Sequence, residues 1–198
     1  MAAGGGACGH QPGDDLGHAR LDGGPIPDGD WQGSFFFAGG LGPRTFVEGI
    51  ENLDLVLPID PDALSRFGET LWQGKRFSRD EALARSPVDP DSDLPELFGL
   101  ALELPLLFPA TLSCAESLHD PRKPSVVVDY SETHTHDGYV KEIDYLAGPS
   151  GLAIRDEMRR VRPGFYLGIA YARDQPLLVF TLTNAEAQAS GQTSEREC

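Results

Sequence analysis

The amino-acid sequence predicts a mainly β fold, with an antiparallel sheet that closes or curls. Several strand-like segments follow one another at short spacing, and the clearest of them are rich in β-branched residues. Strands do not alternate with long helices, which argues against the βαβ units of a parallel sheet. The length of 198 residues predicts a single domain. We expect that domain to occupy residues 31–185.

The two ends of the chain predict disordered tails, over residues 1–30 and 186–198. Residues 1–30 hold nine of the 23 glycines and almost no large apolar side chains. Such a segment cannot bury enough surface to offset the entropy lost on ordering. The small and polar residues of 186–198 predict the same outcome.

Elements in the first half of the domain are weakly marked. An apolar segment at residues 31–37 is closed by Gly39 and Gly40. Residues 61–69 predict a short helix capped by Asp60, and residues 79–85 predict a weak helix. Residues 86–95 predict a loop. Residues 97–108 predict a segment of the core or of a pocket wall.

The second half is clearer. Residues 125–130, Ser-Val-Val-Val-Asp-Tyr, predict a strand, and residues 139–146 fit another that is interrupted by charges. The segment 151–161 fits both a helical face and a strand. A turn at Pro163-Gly164 precedes a predicted antiparallel hairpin, whose two strands are residues 165–173 and 176–183.

Composition excludes several classes of partner. A formal charge of −15 disfavours nucleic acids and anionic membranes, whose phosphates need Lys and Arg. A membrane span is not expected, because no run of 18 apolar residues occurs. The first residues lack the basic and apolar pattern of a signal peptide, so we expect a cytoplasmic protein.

Three cysteines, Cys8, Cys114 and Cys198, lie far apart in the chain. Their odd number and wide spacing do not predict a disulfide framework. We expect Cys114 to be a buried thiol and not a nucleophile, because no histidine is near it in the sequence.

Four motifs occur in order: a Trp-x-Gly-Lys-x-Phe segment at 72–77, Asp-Tyr-Ser at 129–131, Ile-Arg-Asp-Glu-x-Arg at 154–159, and Gly-x-Tyr-Leu-Gly at 164–168. The set resembles a group of small bacterial and fungal proteins. It is more distantly similar to GXWXG-type domains and to calycin-like barrels of the lipocalin kind. That resemblance implies a closed antiparallel barrel around a cavity. About eight strands would leave room for one small ligand.

The first candidate cluster is Trp72, Lys75, Arg76 and Phe77. As a binding site, Arg76 or Lys75 would hold a carboxylate or enolate oxygen beside the Trp72 ring. As a structural motif, Trp72 and Phe77 would close the barrel floor. We assign Arg76 a catalytic role and the other three residues ligand contacts.

Asp156 and Tyr130 are the candidate acid–base residues. In a strand, Asp156 shares a face with Met158, and burial would raise the pKa of its carboxyl into a usable range. Tyr130 lies on the face of Val126 and Val128, which we expect to be interior. The alternatives are a solvated row of ion pairs and an ordinary core tyrosine.

Three further side chains are candidate ligand contacts, Arg155, Glu157 and Tyr166. Residues 165–171 alternate between a small or polar face and a large apolar face. We expect the large face to pack in the core, while Gly168 on the other face permits coiling or a close ligand approach.

His134 and His136 would share a strand face and could bind a metal with His119 or Asp129. A mobile exposed loop is the alternative and is the one we adopt, so no metal is assigned.

No Walker loop, Rossmann fingerprint or nucleophile elbow is present, so no cofactor is expected. The sequence therefore favours a cofactor-independent isomerase or cyclase acting on an apolar or mixed-polarity, oxygen-bearing small molecule. The alternatives are a lipocalin-like carrier or sensor of a hydrophobic ligand, and a haem or metal-binding barrel.

Overall fold

A computed structural model describes residues 24–36, 72–89, 91, 106–190 and 198. These residues form a closed barrel of eight antiparallel strands, paired in chain order. The strands are β1 Gly29–Phe36, β2 Gly74–Ser78, β3 Leu83–Pro87, β4 Leu106–Glu116, β5 Pro124–Asp129, β6 Ile154–Arg162, β7 Phe165–Ala172 and β8 Gln175–Thr183. Two short helices accompany them, α1 Lys141–Asp144 and α2 Ala185–Ser190. The predicted mainly β fold with a closed antiparallel barrel is confirmed, and a calycin-like assignment is consistent with it.

Strand β1 closes the barrel by pairing at both of its edges. Its first half pairs with β2 and its second half with β8, and Gln32 belongs to both ladders. A Cβ atom at Gly33 would lie 2.5 Å from the Trp72 ring, and one at Gly74 would lie 2.0 Å from the carbonyl oxygen of Trp31. Glycine is therefore required where β1 and β2 approach each other most closely.

Strands β5 and β6 set the interior on one side of the barrel. Val126 pairs with Met158, and Val128 pairs with Asp156. Because cross-strand partners share a face and Val126, Val128 and Met158 belong to the core, Asp156 also points inward. The predicted strand at 125–130 is confirmed, and the ambiguous segment 151–161 is a strand.

The inward face of strand β7 is the one that we expected to point away from the core. Tyr166 and Ala170 are buried in the core, whereas Leu167 on the large face is 42% exposed. The reason lies in the neighbouring strand, where Phe180 pairs with Gly168 and fills the space above it. A Cβ atom at Gly168 would lie 2.2 Å from the Phe180 ring.

Two predicted elements are wrong. The segment 79–85 is a turn followed by β3, because pairing with both β2 and β4 outweighs a weak helical preference. The segment 139–146 contains α1 and not a strand, because the Asp144 carboxylate accepts the N–H of Val140 at 2.7 Å and curls the chain. The predicted loop 86–95 starts as the end of β3. The predicted helix 61–69 and most of the predicted core segment 97–108 lie outside the described residues.

Parts of both predicted tails pack on the barrel. The Tyr166 hydroxyl donates a hydrogen bond to the Pro25 carbonyl oxygen. At the other end of the chain, α2 begins after Asn184, whose side chain accepts the N–H of Ala187 at 2.8 Å. Within the described residues, no helix is long and apolar enough to cross a membrane.

A disulfide joins Cys114 on β4 to Cys198, 84 residues further along the chain. Our expectation of a free, buried Cys114 thiol is therefore wrong. Barrel closure brings together two cysteines whose wide spacing in the sequence does not predict that they pair. The N–H of Cys198 also donates to the Gly24 carbonyl oxygen at 3.0 Å, which places both ends of the described chain at one end of the barrel.

The disulfide predicts a definite thiol count. Without reductant, iodoacetamide should label one cysteine per denatured chain, Cys8, and it should label all three after reduction. The Cys8→Ser variant, as the control, should label none before reduction. Because the bridge closes a loop of 84 residues, Cys198→Ser should lower the free energy of unfolding by up to about 4 kcal/mol in urea titrations. Three labelled cysteines before reduction would contradict the bridge.

Candidate functional site

Three polar side chains meet inside the barrel, and all are more than nine-tenths buried: Lys75, Tyr130 and Asp156. The Lys75 ammonium Nζ lies 2.6 Å from the Tyr130 hydroxyl and 2.8 Å from Asp156 Oδ2. The Tyr130 hydroxyl in turn donates to Asp156 Oδ2 at 3.2 Å. Each member of this buried triad therefore contacts the other two.

The strand positions explain how the triad assembles. Tyr130 follows β5 directly and lies two residues beyond Val128, the cross-strand partner of Asp156. Lys75 is the second residue of β2, which is separated from β6 by three strands of the closed sheet. Its long side chain therefore reaches across the interior to Asp156. All three residues lie near the same end of the barrel.

Aromatic rings surround the Lys75 ammonium. Its Nζ lies 5.9 Å from the Trp72 ring centroid, 5.3 Å from that of Tyr130 and 6.0 Å from that of Phe180. Trp72 and Phe180 meet edge to face, with centroids 6.1 Å apart. The rings attract the cation through their π faces and exclude water from it. Sequence reasoning missed Phe180, which looks like any other core residue of a strand.

The environment fixes the protonation of two triad members. Burial disfavours the charged form of Lys75, but attraction to Asp156 and hydrogen bonds to Asp156 and Tyr130 outweigh it and raise the pKa of the ammonium. Burial, followed by the charge of Asp156, raises the pKa of Tyr130 to about 12, against the opposing effect of Lys75. The site therefore presents an ammonium ion and a neutral phenol, both hydrogen-bond donors, beside a carboxylate acceptor.

Residues of the predicted Trp72–Phe77 cluster divide between the two faces of β2. Trp72, Lys75 and Phe77 belong inside, where Phe77 is core. Arg76 points outward and forms an exposed ion pair with Asp30, with its Nε 2.5 Å from Oδ1. The structure therefore does not bring Arg76 together with Tyr130 and Asp156, the other two predicted catalytic residues. Strand alternation gives that position to Lys75 instead.

Arg155 and Glu157 lie on the face of β6 opposite to Asp156, where Glu157 is buried, and they do not join the triad. The Glu157 carboxylate accepts the N–H of Leu118 at 2.9 Å and the Nε of Arg155 at 3.0 Å. Arg155 also donates to the Glu116 carbonyl oxygen at 2.9 Å. These contacts hold the connection between β4 and β5 against β6, so both side chains have structural partners away from the triad.

Tyr166 does not join the triad and packs at the start of β7. Its ring meets Trp31 edge to face at 5.1 Å, and its hydroxyl donates to Pro25, so the two rings form a plug beneath that residue. Trp31 is itself the cross-strand partner of Lys75, so the plug adjoins the strand that carries the triad ammonium. An open groove of about 730 Å³ runs outside this plug, between residues 25–32 and α2, and Tyr166 lines it whereas the triad does not.

A further buried carboxylate, Asp144, was not identified from the sequence. It accepts the N–H of Phe108 at 2.8 Å and that of Val140, and thereby ties α1 to β4. Burial raises the pKa of this carboxyl, while the two backbone hydrogen bonds oppose the rise. Both acceptor contacts are to backbone groups, which indicates a structural role.

The histidines do not form a metal site in the described part of the chain. His134 lies exposed in a single 3₁₀ turn, Thr133–Thr135, so it does not share a strand face with His136. His136 contacts Thr111 through Nε2 at 3.2 Å. No group of three His, Cys, Asp or Glu side chains suited to a metal ion occurs among the residues described.

Breaking the triad should destabilise the fold more when one charge is left behind. Lys75→Met leaves a buried carboxylate unpaired and should cost about 3–5 kcal/mol of unfolding free energy in urea. The double variant Lys75→Met/Asp156→Leu should be more stable than Lys75→Met, because it buries no charge. As the matched control, Arg76→Met removes only an exposed pair and should cost at most about 1 kcal/mol. A double variant less stable than Lys75→Met would contradict the ion pair.

The free energy of unfolding should fall in alkaline solution, because the folded triad keeps protons that the unfolded chain has already lost. The unfolded chain loses the Tyr130 proton near pH 10, whereas the folded chain keeps it until about pH 12. The folded state then binds more protons, so the free energy of unfolding should drop by about 3 kcal/mol across this interval. The raised pKa of Lys75 acts in the same direction. Urea titrations from pH 9 to 12 should show a shallower fall for Tyr130→Phe, and an equal fall would refute the assignment.

The fold and triad were also compared with known proteins. No family model, curated protein or solved structure matches the chain. The resemblance carried by the four sequence motifs therefore stays a prediction.

Proposed function

We propose that the protein binds a small, apolar, oxygen-bearing molecule inside the barrel and acts on it as a cofactor-independent enzyme of the isomerase or cyclase type. The observation that carries this proposal is the buried triad of Lys75, Tyr130 and Asp156. Burying two charged groups costs free energy of desolvation, so such a pair is not explained by stability alone and is a candidate for a functional role. Perturbed ionisable groups that converge in a barrel interior are typical of functional sites.

The chemistry that suits the triad is proton transfer next to a carbonyl group. Lys75 and Tyr130 would donate hydrogen bonds to the carbonyl oxygen and stabilise an enolate as it forms. Asp156 would accept the proton from the neighbouring carbon, and the C–H electron pair would become the enolate double bond. The carbonyl π pair moves to the oxygen at the same time. In a β,γ-unsaturated ketone the enolate is a conjugated dienolate, so return of the proton to the γ carbon shifts the double bond, restores the carbonyl and completes an isomerisation without any cofactor.

The aromatic residues supply the apolar part of the site. Trp72 and Phe180 flank the ammonium, and Phe77 extends the buried wall of β2. Such walls hold a hydrocarbon body by burying its surface, while the few polar groups orient its oxygen. A flexible substrate held this way would be confined to one reactive conformer.

A non-catalytic carrier or sensor is the second candidate. One observation favours it: each triad member already hydrogen-bonds to the other two, which is a complete resting arrangement. A carrier needs only the same apolar interior and polar anchor. The haem or metal alternative gains no support from the dispersed histidines.

The compartment is part of the same proposal. The cytoplasm is the compartment expected in the sequence analysis, whereas the Cys114–Cys198 bridge is of a kind typical of oxidising compartments. We retain the cytoplasm as the proposal, which the thiol count on protein alkylated at lysis also tests.

Hydrogen exchange at carbon distinguishes the enzyme from the carrier. The protein is incubated in D₂O with decan-2-one and with the enone carvone, and deuterium uptake beside the carbonyl is followed by NMR. We expect uptake well above the buffer rate, and loss of that gain in Asp156→Asn and in Lys75→Met. Arg76→Met, which changes a neighbouring cation on the outside of β2, should retain the gain.

The outcomes separate the candidates. Ligand signals that broaden in the presence of protein, with no deuterium uptake, would favour the carrier. Uptake that survives both triad substitutions would place the chemistry elsewhere and refute the assigned roles. Native mass spectrometry of the freshly purified protein adds a check, because a retained organic mass would identify the ligand class directly.

A further inference from the structure

We infer that the ligand is uncharged: the barrel site selects neutral carbonyl or hydroxyl compounds over carboxylates and amines, and Asp156 sets this selectivity. The inference deepens the proposed function and rests on its ligand site. It names a substrate class that excludes free fatty acids, the ligands that a buried lysine in an apolar barrel would otherwise suggest.

The first argument is the charge balance of the triad. Lys75 and Asp156 form an ion pair at 2.8 Å, and Tyr130 is a neutral phenol, so the three groups sum to zero. Asp156 supplies the opposite charge next to the ammonium, and Tyr130 supplies a neutral hydrogen-bond partner. The ammonium is therefore already compensated before any ligand arrives.

The second argument is the cost of adding a charge. A carboxylate bound to Lys75 would lie close to Asp156 and would leave one unbalanced negative charge in a water-poor interior. An ammonium ligand would meet Lys75 and leave one unbalanced positive charge. Either excess is costly in an interior lined by Trp72 and Phe180. A ketone or alcohol accepts or donates hydrogen bonds and adds no charge.

The third argument concerns approach from solution. The chain carries a formal charge of −15, which repels anions before they reach the barrel. The neighbouring cations Arg76 and Arg155 face outward and are paired with Asp30 and Glu157. They therefore do not offer a second, uncompensated cation for a carboxylate inside.

Displacement of a neutral fluorescent probe tests the inference. Nile red is bound to the wild-type protein at pH 8 and competed with decan-2-one, decan-1-ol, decanoate and decylammonium, which share a ten-carbon skeleton. We expect the ketone and the alcohol to displace the probe at concentrations at least tenfold lower than the two ions. This comparison needs no variant, so it holds whatever a substitution does to folding.

Two matched variants test the role of Asp156. Asp156→Asn removes the carboxylate that compensates Lys75, so a bound carboxylate would take over that role, and the variant should improve decanoate at least tenfold relative to decan-2-one. Glu157→Gln removes the same charge one residue along β6, but on the opposite face, and should leave the ratio unchanged. If Asp156→Asn does not fold, Lys75→Met/Asp156→Leu replaces it and should bind decan-2-one at least tenfold more weakly than the wild type does.

Each result has one meaning. If Nile red does not bind, the proposed ligand site fails and the inference fails with it. If Nile red binds but either ion competes as well as decan-2-one, or if no competitor displaces it, the inference is overturned while the ligand site stands. An unchanged ratio in a folded Asp156→Asn variant removes Asp156 as the residue that sets selectivity.

Discussion

Strand β1 hydrogen-bonds to β2 along its first half and to β8 along its second, and this double pairing leaves the sheet without a free edge. Closure turns the alternation of each strand into a division between inside and outside. An inward polar side chain then has no water to bind and must find a partner on another strand. Lys75 finds Asp156 four positions around the barrel, and the rest of the interior packs around that pair.

The barrel interior combines an aromatic plug with a charged cluster. Tyr166 donates to Pro25 and packs its ring against Trp31. Trp31 is the cross-strand partner of Lys75, whose ammonium forms the ion pair beside the Trp72 and Phe180 rings. The plug therefore adjoins the strand that carries the ion pair. The triad gathers polar groups of the interior in one place, so binding and chemistry would act at a single point.

Sequence patterns locate much of this arrangement, but not its pairing. The Val-rich strand and the alternation around Asp156 correctly place Tyr130 and Asp156 inside, because both signals are local. Selecting Arg76 instead of Lys75 depended on which parity of β2 faces inward, and that parity is set by register with β1. The inward face of β7 could not be predicted either, because the Phe180 ring on the next strand occupies the space that a side chain at position 168 would need. The Cys114–Cys198 bridge follows from closure and leaves no trace in the spacing.

That bridge has a mechanical consequence. Strands β5 to β8 all lie within the loop that joins Cys114 to Cys198, so a pulling force applied at Cys198 passes through the sulfur atoms directly into β4. Half of the strands would carry no tension while the bond is intact. Reduction would release a hidden contour length of roughly 300 Å, at about 3.3–3.6 Å per residue for the 84-residue separation. The extension that the chain can reach under force is therefore short while the bridge is oxidised and long once it is reduced.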